Sequence, residues 1–239
     1  MGSIIVSILA LIISLLSLII SIVQKNREKE RAIRKSLSDT LESIAKINIE
    51  FSKLRQDNEL FNSEGVIDLR RNYNSQRRIL IAHADFLVTK YDSLTTDIDC
   101  NLLADAYSAI GDYGKADSYW IKTIEKSQSN PIEHMSLRGY ARFLFFQGKF
   151  EIGRGKFEEA LKIDLPETDD YKRQKADTYF MWASVEKEFN NRSEMIRLIE
   201  LGKSYCKRIG HAKMRIEMEE RFKRIEANVM ADKSTNDIL

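Results

Sequence analysis

An apolar run near the start of the sequence limits what the rest of the chain can be. It extends from Ser3 to Val23, contains no charged side chain, and ends at the polar segment 24–27. As an α-helix it would be about 30 Å long, which matches the hydrocarbon thickness of a bilayer. A soluble helix of this length without a polar face would need a far larger domain around it. The sequence therefore predicts a transmembrane helix over residues 3–23.

Small residues recur within this run at helical spacing. They lie four and three positions apart in alternation, so they share one face of the helix. Such a stripe is typical of a packing surface between membrane helices, because small side chains permit close approach and serines hydrogen-bond across the contact. The alternative is that each hydroxyl bonds to a carbonyl of its own helix. We expect a homo-oligomer that associates through Ser3, Ser7, Ala10, Ser14, Ser17 and Ser21.

The charges that follow the run predict its orientation. Six Lys and Arg residues lie between Lys25 and Lys35, and no charged side chain precedes the run. The positive-inside rule then places the C-terminal body in the cytoplasm. The expected location is a membrane, crossed once, and specifically the inner membrane of a bacterium. A body on the periplasmic side is the alternative, and a C-terminal reporter fusion would decide between them.

The overall charge is that of a solvated surface rather than of a nucleic-acid-binding protein. The net charge is +2 although 31% of the residues are charged, so acidic and basic side chains are interspersed. No nucleic-acid partner is therefore expected. The two cysteines, Cys100 and Cys206, lack the spacing of a metal or redox motif. We expect both to be small buried apolar residues in a reducing compartment.

Periodic apolar residues predict helices in the remainder of the chain. Residues 24–61 form a long juxtamembrane helix whose apolar stripe, including Leu37, Thr40 and Ile44, is expected to pack onto the chain's own body. No stretch alternates in the manner of a β-strand, so the expected class is all-α. An amphipathic capping helix is expected over residues 211–229, and a disordered tail over residues 230–239.

The central part of the chain carries a repeated pattern. A large apolar residue, a small residue and an aromatic precede a turn with glycine, and a small residue and an aromatic follow it. The first copy contains Leu103, Ala104, Tyr107, Gly111, Tyr113, Ala116 and Trp120. The second contains Tyr140, Ala141, Leu144, Gly148, Phe150, Gly153, Phe157 and Ala160. A third, degenerate copy has Trp182, Ala183, Met195, Ile199 and Gly202, with Asn190 in place of the turn glycine.

This pattern resembles the tetratricopeptide repeat (TPR) over residues 63–209. The resemblance implies a TPR-like α-solenoid of antiparallel helix pairs, in which the first helix of each pair lines a concave groove. Arg138 and Arg142, one helical turn apart, would with Phe145 suit a protein or peptide ligand that carries an acidic segment. The groove positions that the family implies are Asn101, Asp105, Ser108, Met135, Arg138, Arg142, Phe145, Phe180, Ser184 and Lys187.

The sequence offers no pattern typical of catalysis. His83, His134 and His211 stand apart from one another and outside any metal-binding motif, so each is expected at the surface or at a helix end. The glycines of residues 148–155 belong to the repeat and lack the ending of a phosphate-binding loop. We therefore expect no catalytic residue, no metal site and no cofactor, and the chain is predicted not to be an enzyme.

Two functions remain open. The leading hypothesis is a single-pass, membrane-anchored scaffold or adaptor that recruits a protein partner to the cytoplasmic face of the membrane. The alternative is a sensor–effector whose transmembrane helix oligomerises into a membrane-disrupting pore when the repeat body is triggered. In that case the serine stripe would line a wet lumen.

Overall fold

The computed structural model describes residues 2–56 and 64–236, with side chains at 11–53, 56 and 66–227. Over these ranges the chain has nine α-helices, one short 3-10 helix (Asp92–Leu94) and no strand, so the predicted all-α class is confirmed. The α-helices are α1 (Gly2–Gln56), α2 (Glu64–Lys90), α3 (Asp97–Ala109), α4 (Tyr113–Glu125), α5 (Asn130–Phe146), α6 (Phe150–Lys162), α7 (Asp169–Glu188), α8 (Arg192–Lys207) and α9 (Ala212–Asn236).

The chain divides into two compact units, Met1–Tyr119 and Trp120–Leu239. In the first unit, the long helix α1 packs along α2. Its stripe residues Leu37, Thr40 and Ile44 are buried, so the predicted packing of this face onto the chain's own body is confirmed. Cys100 in this unit and Cys206 in the second are free thiols and fully buried, as expected.

The predicted membrane segment forms the first part of α1. In the part of the chain that the structure describes, none of the helices combines the length and the apolar character that a membrane crossing requires. The predicted segment includes residues 3–10, whose side chains lie outside those described, among them Ser3, Ser7 and Ala10. The side chains of Ser14, Ser17 and Ser21 are described and are exposed.

Three turns in the body share one backbone geometry. They centre on Gly111, Gly148 and Asn190, whose φ angles are 81°, 69° and 60°. At each centre the N–H donates to the carbonyl three residues earlier, and the next N–H donates to the carbonyl five residues before it. These two bonds form the Schellman arrangement that ends a helix with a left-handed residue. Asparagine adopts this conformation more readily than other non-glycine residues, so Asn190 can replace the turn glycine.

Residues at the same sequence separation from the three turn centres are buried to a similar extent. Seven positions before each centre is an alanine that is fully buried: Ala104, Ala141 and Ala183. Nine positions after each centre is a large buried side chain: Trp120, Phe157 and Ile199. Small residues on one helix allow its partner to approach closely, and the large residues fill the remaining space. The degenerate third copy therefore keeps the packing pattern of the first two.

The second unit stacks two antiparallel helix pairs and a final helix. The pairs are α5 with α6 and α7 with α8, and α9 packs on both α7 and α8. Phe157 of α6 is stacked on Trp182 of α7, with ring centroids 5.3 Å apart. In α9, Phe222 is fully buried. The helix α9 continues to Asn236, so the structure differs from the predicted disordered tail over residues 230–236, while residues 237–239 lie outside those described.

Candidate functional site

A basic surface lies on α5, α7 and α9 in the second unit. Its members recur at spacings of three and four, which places those of each helix on one face. Contacts between α5 and α7 and between α7 and α9 bring the three faces together. We define the basic surface by Met135, Arg138 and Arg142 on α5, by Arg173, Asp177 and Phe180 on α7, and by Arg221 on α9.

One carboxylate joins the three helices. Arg138 donates from Nη1 to Asp177 Oδ2 at 2.9 Å, and Arg221 donates from Nη1 to Asp177 Oδ1 at 2.5 Å. Two guanidinium groups therefore share one carboxylate, and the trio keeps a charge of +1. Burial lowers the pKa of Arg138, whereas its bond to Asp177 opposes that shift. Arg221 is the more accessible of the two cations, since its side chain is 43% exposed against 14% for Arg138.

Arg221 also connects the charged trio to the apolar packing of α9. Its guanidinium lies 4.2 Å from the ring centroid of Phe180, which meets the ring of Phe222 edge-on at 5.6 Å. A cation above an aromatic face is held by the ring quadrupole, so the half-buried Phe180 fixes the position of Arg221. Beside the pair is a cavity of about 210 Å³ lined by Arg173, Asp177, Met214, Glu217, Met218 and Arg221.

Arg142 is a cation of this surface that is free to meet a partner. Its side chain is exposed, and its guanidinium lies 5.4 Å from the ring centroid of Phe146. Within the described residues it forms no ion pair. Phe146 is itself 45% exposed and meets the ring of Phe189 at 5.9 Å. A carboxylate that approached Arg142 would therefore find exposed aromatic surface directly beside it.

The predicted groove residues have different environments. Phe145, expected as an apolar anchor, is fully buried against the rings of Phe150 and Phe157 at 5.7 and 5.9 Å. Arg138 is bound to Asp177 rather than open to a ligand. Met135 is 53% exposed. Phe180, Ser184 and Lys187 are half-buried on α7, and Asn101, Asp105 and Ser108 lie on α3 in the first unit.

Sequence reasoning missed three members of this surface, namely Arg173, Asp177 and Arg221, and also the adjoining Phe146. Asp177 lies between Arg173 and Phe180 at helical spacing, and this was the available signal. Arg221 belongs to α9, which the sequence indicates only as a cap. Phe146 is adjacent to Phe145, and successive residues point about 100° apart on a helix. The exposed aromatic is therefore the neighbour of the predicted one.

A second charged cluster is internal. The carboxylate of Glu186 is fully buried and accepts two bonds from Arg154, from Nε at 2.7 Å and from Nη2 at 2.8 Å. It also accepts from Trp182 Nε1 and Asn191 Nδ2. Burial opposes ionisation, but these hydrogen bonds prevail and lower the pKa of Glu186. With every lone pair engaged, the cluster ties α6 to α7 and offers nothing to a ligand.

His134 is in the core, so its expected position at the surface or at a helix end is wrong. It lies on the face of α5 that also carries the buried Leu137 and Ala141. Its Nδ1 is 2.7 Å from the carbonyl of Ala160, and its Nε2 is 2.8 Å from Thr178 Oγ1. A carbonyl only accepts, so Nδ1 carries the proton. Burial lowers the pKa of His134 to about 4, and the imidazole is neutral at pH 7.

Neither a metal site nor a similarity to known proteins assigns a function to the described residues. Among the described residues, no three metal-ligating side chains of His, Cys, Asp or Glu lie together. Comparisons with protein-family models, with curated proteins and with solved structures give no match.

Proposed function

We propose that the chain is a membrane-anchored scaffold or adaptor that recruits an acidic protein partner to the cytoplasmic face of the membrane. The observation that carries this proposal is the basic surface of α5, α7 and α9, with its exposed Arg142 beside Phe146. An exposed cation adjoining aromatic surface is a typical anchor for a protein ligand with acidic and apolar residues.

The repeat architecture of the body is part of the proposal. Support comes from the three Schellman turns and from the buried residues at equal distances from them. Stacked helix pairs of this kind form a TPR-like solenoid, and each pair covers the apolar face of the next. The helix α9 would cap the last pair, which agrees with its amphipathic sequence and its contacts with α7 and α8.

The membrane anchor is supported by sequence. Residues 3–23 contain no charge, and the basic segment that starts at Lys25 favours a cytoplasmic body. We expect the full-length chain to remain in the membrane fraction at alkaline pH and to leave it when residues 3–23 are deleted. A C-terminal reporter active only in the cytoplasm tests the orientation. Extraction of the intact chain by alkali would refute the anchor.

Self-association through the small-residue stripe is tested separately. Leucine at Ser7, Ser14 and Ser21 keeps the segment apolar and widens the predicted contact face, which would prevent close approach of two helices. We expect these substitutions to lower the signal of a membrane association reporter. The matched control places leucine at three isoleucine positions on the opposite face of the segment, Ile5, Ile12 and Ile19. An unchanged signal from the serine variants would refute the role of the stripe.

The partner surface is tested by reversing one exposed charge. Arg142→Glu removes the cation that a partner's carboxylate would meet, without breaking an ion pair among the described residues. Lys162→Glu is the matched control, since Lys162 is exposed on α6, outside the basic surface. We expect proteins that co-purify with the detergent-solubilised wild type to be lost from Arg142→Glu and retained by Lys162→Glu. Equal recovery of the same proteins with both variants would refute the surface.

A further inference from the structure

A cleft in the first unit gathers arginines beside the 3-10 helix. It is lined by Arg27, Arg31 and Arg34 of α1, together with Glu30 of the same helix and Leu94 of the 3-10 helix. The cleft is open and has a volume of about 440 Å³. Spacings of four and three place the arginines on one face of α1, so the three guanidinium groups converge on the same space.

A buried carboxylate links the two walls of the cleft. Asp99, only 6% exposed, accepts from Arg34 Nη1 at 2.5 Å and from the backbone N–H of Thr96 at 2.8 Å. The Thr96 hydroxyl accepts from the Asp99 N–H in return, which completes a capping box at the start of α3. The segment that carries Leu94 is thereby fixed against α1 at the level of Arg34.

The charges of the cleft leave one positive charge unmatched. Asp99 neutralises Arg34, whereas Arg27 and Arg31 form no ion pair among the described residues. Two free guanidinium groups and the carboxylate of Glu30 sum to +1. A phosphodiester with a single negative charge is the complementary ligand, because guanidinium groups bind phosphate oxygens in a bidentate manner.

The position of the cleft along α1 indicates where such a phosphate would come from. Arg27 and Arg31 follow Val23 by four and eight residues, which is about 6 and 12 Å along an α-helix. Headgroups occupy about 5–8 Å on each side of the hydrocarbon core, and long arginine side chains reach back toward it. Since α1 is continuous from Gly2 to Gln56, no break separates the apolar run from the arginines.

Neighbouring side chains at this end of the unit also suit a membrane interface. The ammonium group of Lys90, the last residue of α2, lies 5.1 Å from the ring centroid of Phe86 and 5.5 Å from that of Tyr91. Phe86 is 53% exposed. Aromatic and basic side chains together are characteristic of the headgroup region.

We infer that this cleft binds the phosphodiester headgroup of an anionic phospholipid such as phosphatidylglycerol. Arg27 and Arg31 hold the phosphate oxygens. The inference rests on the proposed membrane anchor, which brings the cleft to the level of the headgroups.

The test measures lipid affinity of the full-length chain in detergent micelles. The melting temperature is followed while phosphatidylglycerol, phosphatidylcholine or inorganic phosphate is added. The variant R27Q/R31Q removes two charges that line the cleft. The matched variant K25Q/K29Q removes two charges from the opposite face of the same helix. Glutamine keeps the helix propensity of lysine and arginine nearly unchanged.

We expect phosphatidylglycerol to stabilise the wild type at lower concentration than phosphatidylcholine does. R27Q/R31Q should weaken this binding about 30-fold, because each basic side chain contributes about 1 kcal/mol to binding at an anionic surface. K25Q/K29Q should change it far less. Glu30→Gln removes the one opposing charge and should strengthen binding about fivefold on the same basis.

Three results would overturn the inference. Equal losses in the two double variants would attribute the binding to the overall charge of the segment. Stabilisation by inorganic phosphate at the same concentration would identify free phosphate as the ligand. A chain that resists alkaline extraction from phosphatidylcholine vesicles but shows no preference for phosphatidylglycerol would refute the lipid site and leave the anchor standing. Failure of the anchor itself appears instead as loss of the intact chain from those vesicles.

Discussion

The packing of α9 against α8 depends on the absence of a side chain at Gly202. A Cβ at this position would lie 2.6 Å from Cε1 of Phe222 and closer still to Cζ. Real Cβ atoms do not approach ring carbons so closely. Because Phe222 is fully buried, its ring cannot move aside unless α9 moves with it. Gly202→Ala therefore tests whether α9 caps the second unit in the way described.

The expected cost combines two opposing terms. Overpacking a close-packed site costs about 1–3 kcal/mol, and contact with several atoms of one buried ring places this case near 3 kcal/mol. Alanine is favoured over glycine in a helix by about 1 kcal/mol, which offsets part of that cost. The free energy of unfolding should fall by about 2 kcal/mol, which lowers the melting temperature by about 4–8 °C in a chain of this size.

Gly155→Ala is the matched control for this substitution. Gly155 is also inside a helix, α6, but a Cβ there would meet no atom within 4 Å. The gain in helix propensity is then unopposed, and the free energy of unfolding should rise by about 0.5–1 kcal/mol. The two alanine variants make the same chemical change, so only the contact with Phe222 separates their outcomes.

Thermal and denaturant unfolding of the full-length chain in one detergent would provide the measurement. The double variant G202A/F222L restores space beside position 202, so its cost should be smaller than the sum of the two single costs by about 1 kcal/mol or more. The reasoning is refuted if G202A is as stable as G155A, or if the two costs in the double variant simply add.

Other predictions concern buried polar groups and the third turn. Since the pKa of His134 falls from 6.5 to about 4 on folding, the unfolded chain binds more protons between these values. Stability should therefore decline by up to about 3 kcal/mol as the pH falls through this range, and the decline should be smaller in His134→Gln. Glu186→Gln should lower the free energy of unfolding by about 2 kcal/mol at pH 7, because Arg154 loses its buried carboxylate and keeps only the exposed carboxylate of Glu151. The difference from wild type should shrink below pH 4.5, where acid removes the contribution of a carboxyl with a lowered pKa. Asn190→Gly should raise stability by about 0.5–1 kcal/mol in denaturant titrations, since glycine accepts a positive φ without strain.

Much of the body could be predicted from local sequence. The alanines before each turn and the large residues after it are set by helix periodicity and by the need for close approach. Even the degenerate third copy could be aligned by these positions. Asn190 keeps the left-handed turn because its short polar side chain tolerates that conformation.

The basic surface could be predicted only in part, because ion pairs depend on how separate helices meet. Arg138 and Arg142 have the same spacing and chemistry, yet one is bound to Asp177 and the other is exposed. Nothing in the sequence near Arg138 indicates that α7 would place a carboxylate against it. His134 shows the same limit, since the carbonyl and hydroxyl that satisfy it come from α6 and α7.

The continuity of α1 has a consequence for torsion. A helix of 55 residues is a rod about 80 Å long, and its unbroken hydrogen bonds resist twisting. The buried face at Leu37 and Ile44 therefore keeps a fixed angle to the stripe at Ser14 and Ser21. One residue inserted between them would turn one face by about 100° relative to the other, whereas seven would restore the angle to within about 20°. The number of residues between the two faces of α1 therefore sets the angle, about the helix axis, between the serine stripe and the rest of the first unit.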